Sequence, residues 1–233
     1  MSEEKKKVVK RKVATEEDRQ VSAASKQERH AKATPKRIIA CVFWLLGIVC
    51  EVLAILVLNK TLYVENQMLW LIIFLVADLI LVIIGSQFWK SANDIDPASE
   101  KNKVKYFLQN QMGLIVACLA FFPIIILLLQ NKDLDKKTKK IVTAVAAVAL
   151  VVASLVSIDW NPISEEEYQQ MQTEYAATTI YWTRWGHSYH TSADCPALSR
   201  TKEENLFSGT IDEALEAGRN DACDFCVDQS TPD

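Results

Sequence analysis

Four apolar runs, roughly Ile38–Leu58, Met68–Gln87, Met112–Leu129 and Ile141–Ile158, constrain this chain more than any other feature. A helix needs about 20 mostly apolar residues to cross a hydrocarbon layer about 30 Å thick, because it rises 1.5 Å per residue. Lipid offers no partner to a backbone amide, so each run must satisfy its own hydrogen bonds as a helix. A soluble bundle would show a polar face on every helix, and these runs show almost none. The sequence therefore predicts an α-helical membrane protein with four transmembrane helices over 38–158, and the lipid bilayer as its first partner. Trp44, Tyr63, Trp70, Trp89 and Trp160 fall near the ends of runs, as an interfacial aromatic belt would require. Pro123, inside the third run, is tolerable as a kink.

Charge is segregated around these runs. Residues 1–37 hold twelve Lys/Arg against six Asp/Glu, and residues 178–233 hold four against ten. The head has no apolar stripe, so 1–37 reads as a basic, disordered tail. Its sharper reading is a polybasic segment drawn to anionic lipid, at about 1 kcal/mol per basic residue near the surface. The basic region is too long for a secretory signal, and the first run reads as a retained anchor. Orientation follows Lys/Arg in short flanks. Lys32, Lys36 and Arg37 place the head in the cytoplasm, and Lys90, Lys101, Lys103 and Lys105 place loop 88–111 there too. Four spans then return the C-terminal domain to the cytoplasm, in a multi-pass protein of the cell membrane. Loop 130–140, with Lys132, Lys136, Lys137, Lys139 and Lys140, disagrees. A re-entrant third run would resolve that conflict by putting the tail outside.

Two acids, Glu51 and Asp78, lie within apolar runs. A charge there costs several kcal/mol, so each must be neutral, paired or facing water. One reading is an ion or proton path; the other is interhelical packing through hydrogen bonds.

Beyond the fourth run the pattern changes. "NPISEEEY" starts a connector helix in 159–177, with Ser164 as cap and Glu167 completing a capping box. "TTIYWTRWGHSYHT" is rich in β-branched and aromatic residues and reads as a hairpin turning near Gly186. "SGTIDEALEAG" reads as a helix from Thr210 to Gly218. These elements make a small ββα domain over 178–228, followed by a disordered end at 229–233. Zinc takes four N/S ligands in a tetrahedron. Cys223 and Cys226 form one chelating pair, and His190 with Cys195 a second. His187 is the alternative to His190, and a redox-active CxxC is the alternative to the metal. A domain of about 55 residues buries little core and needs such a staple.

From Ile180 to Cys226 the tail resembles the small bacterial zinc-binding domains similar to the N-terminal domain of the Ada DNA-repair methyltransferase. Gly186, Tyr189, His190, Cys195, Leu198, Gly209, Ala214, Gly218, Cys223 and Cys226 fall in register, over about a fifth of the chain. The resemblance implies that His190, Cys195, Cys223 and Cys226 hold the zinc. Methyl-acceptor chemistry does not carry over, because that domain uses four cysteines and a histidine stands here in one place. Nucleic acid is a poor partner for a domain with this acidic excess, since phosphate binding needs Lys/Arg.

No Ser-His-Asp set, phosphate loop or HExxH motif is present in the sequence, so nothing in it points to an enzyme. The sequence reads as a bacterial-type membrane protein presenting a structural-zinc interaction or sensor module, with a possible protein partner at its C-terminal domain. The alternative is a small transporter or channel subunit using Glu51 and Asp78.

Overall fold

The computed structural model describes residues 16–227, with side chains from Lys26 onward. Residues 1–15 of the head and the end at 229–233, both predicted to be disordered, lie outside the described residues. Among those described, four helices are long and apolar enough to cross a membrane. They are α1 (Glu16–Leu58), α2 (Gln67–Ile95), α4 (Met112–Gln130) and α5 (Lys136–Ser157), with the short α3 (Lys103–Asn110) between the second and third. Each follows one apolar run. α4 continues unbroken through Pro123.

The bundle core is built from Val57, Leu71, Leu75, Phe121, Ile124 and Leu128, closed by the small residues Val142, Ala146, Ala149 and Ala153 along one stripe of α5. Small side chains let helix backbones approach where lipid supplies no hydrophobic drive. The opposite faces carry exposed Leu45, Val49, Leu119, Phe122, Val148 and Leu155. Water does not tolerate an apolar belt of this extent, and a hydrocarbon layer does. α1 and α2 pack tightly at Gly85, where a Cβ would lie 2.5 Å from the Trp44 indole nitrogen. Trp44 is therefore inside the bundle, tilted against Trp89 at 5.3 Å, and not in the interfacial belt its position suggested.

The lysine-rich loop 130–140 has a local task. Lys139 Nζ donates to Leu129 O at 2.6 Å and to Asn131 O at 2.9 Å, capping the carbonyl end of α4. Asp135 accepts from the amides of Lys137 and Thr138 and starts α5.

The described part of the head is helical, which corrects the expectation of disorder over 1–37. α1 extends beyond the first apolar run, and its extension is held by the tail. Arg29 donates to Glu165 at 2.8 Å and lies 4.2 Å over the Tyr168 ring. Lys32 pairs with Glu216. His30 and Arg37 both bond Asp96 at the end of α2, at 2.9 and 2.8 Å. A polar helix is marginal alone; here tertiary partners supply what its own sequence lacks. Head and tail thus sit at the same end of the bundle.

The tail begins with α6 (Glu165–Glu174), whose Ser164 and Glu167 form a capping box. β1 (Ile180–Thr183) and β2 (Ser188–His190) make the hairpin, pairing Tyr181 with His190. α7 (Ile211–Glu216) starts from a second capping box, between Thr210 and Glu213. The sheet is larger than the predicted ββα unit. β3 (Leu206–Gly209) pairs antiparallel with β1, and β4 (Asp221–Ala222) pairs parallel with β2, giving the order β3-β1-β2-β4 among the described residues. Ile163, Tyr168, Ile180, Trp182, Ile211 and Leu215 form the core between sheet and helices.

Candidate metal centre

Each candidate ligand is placed by a different local device. His190 ends β2. Cys195 follows a turn in which its amide donates to Ser192 O at 3.3 Å. Cys223 leaves β4, and its amide donates to Tyr189 O at 2.9 Å, which ties it to the strand carrying His190. Cys226 lies in α8 (Asp224–Val227), one turn on, where its amide donates to Cys223 O at 2.8 Å. Parallel pairing of β4 with β2 thus brings the CxxC pair to the histidine.

The ligand atoms of His190, Cys195, Cys223 and Cys226 all lie within 4.8 Å of one another, and all four residues are buried. Cys195 Sγ is 3.8 Å from Cys223 Sγ, and Cys226 Sγ is 3.9 Å from His190 Nδ1. A tetrahedron with metal–sulfur bonds of about 2.3 Å has sulfur–sulfur edges of about 3.8 Å. A disulfide would need about 2.05 Å. The donor set, its burial and its spacing fit a metal ion. Exposed His187 is outside the cluster, and His190 is the histidine that groups with the three cysteines among the described residues.

Burial lowers the His190 pKa, keeping the imidazole neutral and able to coordinate. Burial pushes the Cys195 thiol up to about 11, so its thiolate needs a nearby positive charge. At Cys226 burial acts in the same direction, but the Thr191 amide, the Cys195 thiol and the Ser192 amide together outweigh it and lower the pKa.

Two further sequence-selected residues, Glu51 and Asp78, lie far from this centre in the chain and line one cavity in the helix bundle. Sequence reasoning missed the residues that dock the head: Arg29, His30 and Arg37 on α1, and Asp96, Glu165 and Tyr168 opposite. No local signal marks them, because the partners are distant in sequence.

No protein family, curated protein or solved structure matches this chain. The site therefore stands on its own geometry. The chain has four helices long and apolar enough to cross a membrane, and a buried His/Cys cluster able to hold a metal ion.

Proposed function

We propose that this is a multi-pass protein of a bacterial cell membrane that presents a zinc-stapled domain to the cytoplasm as an interaction or sensor module. The observation that carries the reading is the convergence of four buried ligand atoms from His190, Cys195, Cys223 and Cys226 within 4.8 Å. Thiolate and imidazole donors select zinc among the common divalent ions. Four protein donors close the coordination shell, which suits a structural ion; a catalytic zinc keeps one position open. The resemblance of Ile180–Cys226 to Ada-like zinc domains supports the same four ligands. The module's exposed aromatic side chains, Trp185, Phe207 and Phe225, supply a surface for a protein partner. The basic flanks of the first two runs support a cytoplasmic placement.

The test is metal analysis of the full chain purified in detergent. One zinc per chain is expected. Cys223→Ser and Cys226→Ser should lose it and unfold the tail. A metal-free chain, or a tail that keeps its fold in excess chelator, would overturn the proposal.

A further inference from the structure

A cleft of about 510 Å³ lies between α1, α2 and α4. Leu45, Ile48 and Leu119 on its walls are each more than half exposed, so the cleft opens sideways, toward the lipid-facing surface. Its volume falls in the range of small-molecule sites, about 300–1,000 Å³. Trp44, Val82 and Ala120 complete an apolar lining, and Glu51 and Asp78 supply its carboxyl groups.

Asp78 is 1% exposed, and neither of its carboxyl oxygens has a hydrogen-bond partner among the described residues. Its seat is built by Gly47, where a Cβ would stand 2.6 Å from Asp78 Oδ1. The backbone of α1 leaves room for the carboxyl and offers it no donor. A buried polar group without a partner is costly, and the cost is greater for a charged one. The cleft thus lacks one thing, a donor, and offers an apolar wall to whatever brings it.

The chemistry narrows the occupant. Hard metal ions such as calcium take six to eight oxygen ligands, and the cleft's side chains beyond the two acids carry none. A plain acyl chain fills the apolar space and leaves Asp78 unpaired. An ammonium group on an apolar body satisfies both, with charge-assisted hydrogen bonds to carboxylate and the Trp44 indole alongside. We infer that this cleft binds a lipophilic amine arriving from the lipid phase, its ammonium group on Asp78 and its apolar body against Leu45, Ile48 and Leu119. The inference is independent of the metal centre.

The experiment uses the full chain in phosphatidylcholine nanodiscs. The probes are an alkylamine carrying a photoreactive diazirine and the alcohol of the same chain. Peptide mapping should place amine labelling on the stretches of α1 and α4 that line the cleft, exceeding the alcohol on the order of tenfold. Asp78→Asn should reduce amine labelling to the alcohol's level. Ala120→Phe, which fills the cleft and leaves the carboxyl in place, should abolish both. Equal labelling by amine and alcohol on the wild-type chain would overturn the inference. So would labelling spread evenly over the lipid-facing helices, or wild-type labelling in a folded Asp78→Asn. If Asp78→Asn does not fold, the wild-type amine-to-alcohol ratio and Ala120→Phe still decide.

Discussion

Replacing Arg29 by alanine breaks the contact that holds the head to the tail. The Arg29 and Glu165 side chains are only 7% and 5% exposed and meet at 2.8 Å. Removing one partner of such a buried pair costs about 3–5 kcal/mol, because the remaining charge is left uncovered. Lys26 Nζ, 3.6 Å from the same Glu165 oxygen and half exposed, can swing in and soften the loss. The expected cost is therefore at the lower end, about 3 kcal/mol. The assay is native-state amide exchange on the full chain in detergent, read at the amides of α6 and α7. At 1.4 kcal/mol per factor of ten, exchange there should accelerate on the order of a hundredfold. Arg29→Met combined with Glu165→Leu should recover most of the loss, since an apolar pair leaves no charge to cover. A change below about fivefold in Arg29→Ala, the range of exposed ion pairs, would refute the reasoning.

Asp96 gives a pH test. Burial pushes its carboxyl up, but the hydrogen bonds from His30 and Arg37 outweigh this and hold it below the ordinary aspartate value. A depressed acid adds stability that is present above the unfolded pKa and lost as pH falls through the folded one. Thermal stability should therefore drop on acidification below about pH 4, and Asp96→Asn should flatten that part of the curve. Gly85→Leu should destabilise the bundle by at least the roughly 1–3 kcal/mol of an overpacked core, read as a lower melting temperature, because the new side chain meets Trp44 and the Ala40 carbonyl. Reporters fused before Met1 and after Asp233 should give the same cytoplasmic signal; opposite signals would contradict the shared placement of head and tail. Asp78→Leu should be at least as stable as Asp78→Asn, because neither Asp78 oxygen has a hydrogen-bond partner among the described residues and an apolar side chain leaves no buried polar group unpaired.

What the sequence reveals depends on how far apart the cooperating residues are. The four long apolar helices were legible because length and apolar composition are properties of each segment separately. The capping boxes at Ser164 and Thr210 were legible because cap and partner are three residues apart. The four candidate ligands were legible as two chelating pairs, with His190 preferred over His187 for its nearness to Cys195, and the sheet brings these four together while His187 stays exposed. β3 and β4 escaped notice for another reason. They contribute four and two residues, too few to show a period, and their backbone pairing with β1 and β2 places them. The helical extension of α1 was misread because its own residues look solvated; its order is conferred by Glu165, Asp96 and Glu216, which no local window contains. Lys139 was read as a topological charge, and its principal contact is with the carbonyls at the end of α4.

The contact between Arg29 and Glu165 also sets an order in time. Glu165 follows Arg29 by 136 residues. At a synthesis rate of about 5–20 residues per second, Arg29 waits roughly 7–27 s for its partner. Until then its guanidinium is free for water or for anionic lipid, and the extension of α1 is held only by its contacts with the end of α2, where His30 and Arg37 bond Asp96. Docking of the head therefore requires that the tail has been made and has folded back to the end of the bundle from which the head extends. The cluster closes later still, when Cys226 follows His190 by 36 residues. A chain cut short before Glu165 would leave Arg29 and Lys32 without the partners they have in the finished fold.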